Sequence, residues 1–135
     1  MTLFPSEEWL TELEQKLNSD VKYNETANQW EGDLLLVVTP TGNLTQPVSL
    51  YLDLWHGTCR KTEYNPAPTA FPIPAFTLTA SYENITAVLE GQLNPVTAMM
   101  SGKLNIKGNM GYILRNVPSV LEFVRCAHEI TTEVL

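Results

Sequence analysis

The chain has 135 residues and a mass of 15.1 kDa, which suits one domain of ordinary size. Its 15 acidic and 8 basic residues give a formal net charge of −7, so it lacks the basic clusters that nucleic-acid binding requires. Hydrophobic residues make up 44% of the chain, which excludes disorder as its main state. We expect a single domain over residues 1–135, and the predicted elements that follow place its core at about residues 6–125.

A first helix is predicted near the N-terminus. Ser6 is a favoured N-cap, and Glu7 and Glu8 after it suit the first turn. The apolar residues that follow recur at helical spacing and share one face: Trp9, Leu10, Leu13 and Leu17. A shorter and weaker helix is predicted between Asp20 and Asn28.

Four strand-like segments come next in the chain: residues 30–39, 48–55, 58–64 and 75–80. The second alternates strictly, with Leu50, Leu52 and Leu54 on one side and polar or aromatic residues, Trp55 among them, on the other. Residues 65–74 hold four of the nine prolines, so they predict a stiff extended connector instead of a strand or helix.

The remaining half predicts four helices and one more strand. Ser81 caps the first of these helices and Gly91 ends it, and Asn94 with Pro95 opens a short second one. An alternating strand, a third helix and an amphipathic C-terminal helix follow: residues 103–107, 109–116 and about 118–134. The apolar half of the last helix spans about 180°, wider than a surface helix needs.

This order of elements predicts an α+β fold. The strands form a five-stranded, mostly antiparallel sheet, covered on one face by about five helices.

Residues 94–109, with the sequence NPVTAMMSGKLNIKGN, resemble the signature of the sterol carrier protein type-two domain family. The shared pattern is a short helix ending in a Met-x-Gly-Lys step, an alternating strand, a glycine followed by Asp or Asn, and another helix. Residues 76–84 and Gly91 resemble the family as well, and the order of elements matches from about Trp9 to Val124. The resemblance implies that the sheet and helices enclose an apolar tunnel, which binds lipids such as sterols, fatty acids or fatty acyl-coenzyme A.

Candidate tunnel-lining residues are apolar and fall near the expected space between helices and sheet. They are Trp55, Phe76, Leu89, Leu93, Met99, Met100, Ile106, Ile113 and Phe123. The two methionines are flexible and polarizable, which suits a surface that accepts varied apolar shapes, although core filling is the ordinary role of such residues. Lys103 and Lys107 are candidates to meet an anionic head group at the tunnel mouth, the alternative being plain solubility.

No catalytic residue, metal site or cofactor is predicted. His56 and Cys59 lack the further ligands that a metal site needs. Cys126 and His128 would point about 200° apart on a helix, so they do not form a nucleophilic pair. Both cysteines are expected to be reduced and structural.

The leading hypothesis is therefore a non-enzymatic lipid-binding and lipid-transfer domain. The alternative is a protein-interaction module whose tunnel is closed or filled by its own C-terminal helix, which could serve as core, as a movable lid or as a homodimer surface. An enzyme acting on a lipid or acyl thioester has the least support. No stretch approaches the roughly 18 apolar residues of a membrane span, and the N-terminus lacks a signal-peptide pattern, so no stable membrane insertion and a cytoplasmic location are expected.

Overall fold

A computed structural model of the chain describes residues 2–68, 70 and 73–135. The helices are α1 (Glu7–Ser19), α2 (Val21–Thr26), α3 (Tyr82–Leu89), α4 (Pro95–Met100), α5 (Met110–Arg115) and α6 (Val117–Ile130). The strands are β1 (Thr2–Phe4), β2 (Leu34–Thr39), β3 (Val48–Trp55), β4 (Thr58–Tyr64), β5 (Phe76–Ser81), β6 (Asn105–Lys107) and β7 (Thr131–Val134). The predicted connector at 65–74 includes Thr69, Phe71 and Pro72, which lie outside the described residues.

Five strands form one sheet in the order β4-β3-β2-β5-β6. Neighbouring strands run antiparallel except for β2 and β5, which are parallel, with Leu36 opposite Leu78. The predicted α+β fold with a five-stranded, mostly antiparallel sheet is confirmed.

The core lies between this sheet and the helices. The alternation predicted for β3 is present, since Leu50 and Leu52 are fully buried. The predicted inner face of α1 is buried as well, with Trp9 and Leu17 no more than 2% exposed. The helix α6 contacts each of the five other helices, and Cys126 and Ala127 on it are buried. Its use as a homodimer surface stays a prediction.

The C-terminal helix is shorter than its sequence pattern predicts. It ends at Ile130, and Thr131–Val134 forms β7, which pairs in parallel with β1. The prediction of helix up to residue 134 was wrong because these residues find backbone partners at the other end of the chain. The Trp9 indole Nε1 also donates to Thr131 Oγ1 at 2.7 Å, which fixes the start of β7.

Across the described part of the chain, no helix combines the length and the apolar character that crossing a bilayer requires.

Candidate functional site: an apolar cavity between sheet and helices

A cavity of about 140 Å³ lies between the inner face of the sheet and the helices. Its wall is formed by Phe4, Trp9, Tyr23, Trp30, Leu34, Leu36, Leu54, Phe76, Leu78, Ile85, Val88, Leu89, Pro95, Met99, Leu104, Ile106, Ile113, Ser119, Val120, Phe123, Val124 and Ala127. Among the described residues of this wall, Tyr23 and Ser119 carry hydroxyl groups. The Ser119 hydroxyl donates to the backbone oxygen of Thr26 at 3.3 Å. The wall is therefore suited to apolar surface, with very few polar groups.

The sheet contributes a row of apolar side chains to the cavity. Leu36, Leu78 and Ile106 are paired across β2, β5 and β6, so all three point to the same face. Because β6 is the edge strand, Ile106 stays partly exposed, as does Leu78.

Aromatic rings close one region of the wall. The Trp30 ring packs against those of Phe76 and Tyr112, with ring centroids 5.4 and 5.1 Å away, and the latter two rings are 5.9 Å apart. The Trp30 indole Nε1 donates to the backbone oxygen of Gly32 at 2.9 Å, which leaves only apolar ring surface for the cavity. Gly108, at a φ of +144°, allows this packing: a Cβ there would lie 2.5 Å from the Ala75 oxygen.

Side-chain caps fix the helices that carry wall residues. The Ser81 hydroxyl accepts from Asn84 N at 3.1 Å, and Asn94 Oδ1 accepts from Val96 N and Thr97 N at 2.9 and 3.1 Å. The two helix starts predicted at Ser81 and Asn94 are confirmed, and they set the positions of α3 and α4 over the sheet.

The structure places six of the nine proposed lining residues on the cavity wall: Phe76, Leu89, Met99, Ile106, Ile113 and Phe123. Whether they contact a ligand stays a prediction.

Trp55, Leu93 and Met100 lie outside the wall. Trp55 ends β3 on the side away from the core, where its ring stacks on His56 and lies under the Arg60 guanidinium, 4.6 Å from the ring centroid. Met100, the last residue of α4, is 68% exposed. Leu93 packs half-buried against the core.

The two lysines proposed for a head group are both exposed but differently placed. Because Ile106 faces the cavity, the alternation of β6 directs Lys107 to the opposite face of the sheet. Lys103 directly precedes Leu104, which lines the cavity.

Several wall residues were not proposed from the sequence. Phe4 precedes the first predicted helix, and Tyr23 lies in the weakly predicted α2, so neither belonged to a long apolar pattern. Trp9 was expected in the core. A usable signal was present in the first strand segment, where Leu34 and Leu36 alternate inward on the helix-covered face.

A group of charged side chains fastens α6 to α1 and α2. The Arg125 guanidinium contacts Asp20, Glu122 and Glu129 at 2.6, 2.8 and 2.9 Å, and Lys16 contacts Glu129 at 2.9 Å. Hydrogen bonds from Arg125, and then from the backbone of Tyr23, hold the pKa of Asp20 well below its usual range. The Lys16 ammonium is the main cause of the lowered pKa of Glu129.

The two thiols are buried and unreactive in character. Burial raises the pKa of Cys59 to about 12 and that of Cys126 to about 11, so both stay protonated at neutral pH. In the described part of the chain, no three His, Cys, Asp or Glu side chains are grouped so that they could hold a metal ion.

Comparisons with known proteins place this geometry in context. A family model described as "SCP-2 sterol transfer family" matches residues 10–119. The crystal structure of a sterol carrier protein 2 is similar, with a TM-score of 0.82 and 32% sequence identity over 92% of this chain and 96% of that chain. A conserved hypothetical protein from Thermus thermophilus gives a TM-score of 0.81 and 32% identity over 93% of this chain and 88% of that chain.

A third solved structure supports the fold alone. The sterol carrier protein domain 2 of Helicoverpa armigera has a TM-score of 0.61 and 24% identity, over 90% of this chain and 87% of that chain. No curated protein matches the chain significantly.

Proposed function

This chain belongs to the SCP-2 sterol transfer family, a lipid-binding and non-enzymatic family, and from that membership we propose that it binds lipids in the apolar cavity and transfers them without covalent chemistry. The ligands are fatty acids, fatty acyl-coenzyme A or sterol-like molecules. The observation that carries the proposal is the cavity itself, whose wall is apolar on the sheet side and on the helix side. Removing apolar ligand surface from water contributes about 25 cal/mol per Å² before the costs of association.

The size of the cavity indicates how binding proceeds. An engineered apolar cavity of about 150 Å³ takes up benzene, whereas pockets for larger ligands measure roughly 300–1,000 Å³. A cavity of about 140 Å³ therefore has to widen before it encloses a long acyl chain or a sterol. A protein of this kind binds by moving part of its wall outward.

The wall that moves is the first part of α6 together with α4. Val120, Phe123 and Val124 line the cavity but stay partly exposed, and so does Met99 on α4. These side chains lose few contacts when the wall moves, because they are already close to solvent. Methionine adapts to irregular apolar shapes at low cost, which suits Met99 to a position beside the ligand.

Transfer by diffusion fits the charge of the molecule. A net charge of −7 opposes tight docking to an anionic membrane, so the loaded protein would travel through the aqueous phase. The cytoplasmic location expected from the sequence belongs to this proposal, and subcellular fractionation tests it.

The proposal is tested with delipidated protein and three ligands: palmitate, palmitoyl-coenzyme A and cholesterol. We expect saturable binding of at least one of them, measured by calorimetry, and a co-purified lipid in native mass spectrometry of the untreated protein. Val124→Phe places an aromatic ring in the wall and should weaken binding by about tenfold or more, since overpacking costs about 1–3 kcal/mol.

Leu121→Phe is the matched control, because Leu121 lies on the same helix, is 41% exposed and is not part of the wall. It should leave binding unchanged. Failure of all three ligands to bind the delipidated wild type contradicts the proposal, and so does equal binding by wild type and a folded Val124→Phe variant.

A further inference from the structure

The side chain of Tyr23 lines the cavity, and its hydroxyl group has no protein partner among the described residues. Tyr23 is 2% exposed, and its backbone N–H donates to Asp20 Oδ1 at 2.9 Å. Within residues 2–68, 70 and 73–135, its hydroxyl makes no hydrogen bond, whereas the other wall hydroxyl, on Ser119, is bonded to Thr26. No side-chain nitrogen or oxygen of these residues is both fully enclosed and unpaired. The Tyr23 oxygen is therefore not fully enclosed, and the cavity is the open space that the Tyr23 side chain lines.

Other buried tyrosines in the chain have partners for their hydroxyl groups. Tyr82 donates to the backbone oxygen of Leu135, and Tyr51 donates to Asp33 Oδ2 at 2.8 Å. A buried tyrosine hydroxyl normally finds such a partner, because leaving it unpaired costs about 1–3 kcal/mol. The unpaired hydroxyl of Tyr23 calls for an explanation that packing alone does not give.

The surroundings of the Tyr23 hydroxyl favour an uncharged ligand group over a charged one. Burial raises the pKa of Tyr23 well above its usual value, and the neighbouring Cys59 and Cys126 act in the same direction. The phenol therefore stays protonated and can donate a hydrogen bond at neutral pH. A carboxylate brought against it would be taken out of water with no cation beside it, since the described residues of the wall include no Lys, Arg or His.

We propose that the Tyr23 hydroxyl is a polar anchor for a ligand that carries one neutral oxygen, an alcohol hydroxyl or a ketone carbonyl, at the end buried in the cavity. The proposal rests on the proposed function and narrows it to a ligand class and an orientation. The oxygen lies inward against Tyr23, and the apolar body of the ligand contacts the rest of the wall. Ligands with a charged head group gain nothing from Tyr23 and keep that group in water.

Two ring molecules of nearly the same shape test the anchor: cyclohexanol and methylcyclohexane. Both are of the size that a cavity of about 140 Å³ accepts without widening. Dissociation constants of both are measured by NMR titration for the wild type and for Tyr23→Phe. The preference for cyclohexanol, expressed as the ratio of the two constants, should fall about fivefold in Tyr23→Phe, the value of one ordinary hydrogen bond. The stability of the unliganded variant should be unchanged or higher, because no protein hydrogen bond is lost.

Tyr82→Phe is the matched control, since its hydroxyl is bonded within the protein and Tyr82 is not part of the cavity wall. It should lower stability and leave the cyclohexanol preference unchanged. The anchor is overturned if Tyr23→Phe leaves the ratio of the two dissociation constants unchanged, as expected for a hydroxyl that only holds a water. It is also overturned if the wild type binds lipids but neither ring molecule. Ring binding with a Tyr23-dependent preference, but no lipid binding, would support the anchor and contradict only the proposed function.

Discussion

The two halves of α6 differ in how they are attached to the rest of the molecule. The second half, from Arg125 onward, is fastened by the Arg125–Asp20 and Lys16–Glu129 ion pairs, by the His128 Nδ1 contact with the Leu89 oxygen at 2.5 Å, and by the β7 strand that continues it. Ala127 is 1% exposed there. This half is the fixed end of the cavity.

The first half, Val117 to Val124, has weaker attachments. Its links to α2 are the Ser119 hydrogen bond at 3.3 Å and the contact of Glu122 with Lys22 at 3.6 Å, and the Lys22 side chain is 72% exposed. Exposed ion pairs contribute little to stability. This difference supports the proposal that the beginning of α6 is an adjustable wall of the cavity, while its end holds the fold together.

We expect the largest difference in stability when one phenylalanine is removed from the fixed end, by Phe4→Ala, and one from the adjustable wall, by Phe123→Ala. The Phe4 ring is fully buried against Trp9, at 4.7 Å between centroids, and Phe4 lies on β1 beside β7 at the fixed end. Its removal should lower the free energy of unfolding by about 3–5 kcal/mol in urea denaturation. Phe123 is partly exposed in the adjustable wall, so its removal should cost about 1–2 kcal/mol. Equal losses in the two variants would remove the distinction between the halves.

Arg125→Gln tests the fastening of the second half by charge. The Arg125 side chain is 29% exposed, so at pH 7 we expect a loss of about 1 kcal/mol, the upper range for partly exposed pairs. The pKa values of Asp20 and Glu129 are lower in the folded protein than in the unfolded chain, so their contribution is present above the unfolded values of about 4 and is lost as the pH falls below them. The gap between wild type and variant should therefore begin to shrink below about pH 4 and be clearly smaller at about pH 2, as measured by urea denaturation at several pH values.

Arg60→Gln is the control for this prediction. Arg60 binds both carboxylate oxygens of Asp53 at 3.1 Å, but its side chain is 51% exposed and it lies on β4, away from α6. Its loss should change stability by less than about 0.5 kcal/mol. A gap for Arg125→Gln that is constant from pH 7 to about pH 2 would contradict the assigned cause.

The elements with long local sequence patterns were predicted correctly. The face of α1, the alternation of β3 and the caps at Ser81 and Asn94 follow from spacing and local hydrogen bonding, and all are present. The short strands β1 and β7 were missed because each has three or four residues and their partners are about 130 residues apart. No local pattern reports such a pairing, and the apolar positions in β7 also fit a helix.

The residues of the cavity wall could be predicted from the sequence only in part, for similar reasons. Trp55 was proposed because it is large and apolar, yet the alternation of β3 already placed it with Tyr51 on the outer side. Tyr23 was missed because α2 has only six residues and no measurable period. Its significance depends on the lack of a partner for one oxygen atom, and a sequence does not contain that information.

We expect the smallest effect from Lys103→Ala, which tests whether Lys103 meets the anionic head group of a ligand. Lys103 is exposed next to the wall residue Leu104, and its backbone oxygen accepts a hydrogen bond from Asn84 at 3.2 Å, which fixes the turn. The affinity for palmitoyl-coenzyme A should fall about twofold at low salt and less at 0.15 M, because exposed charges are screened. Cholesterol carries no charge and should bind unchanged. Lys107→Ala is the matched control on the opposite face of the sheet, and an equal loss there would show that net charge, and not the mouth of the cavity, attracts the head group.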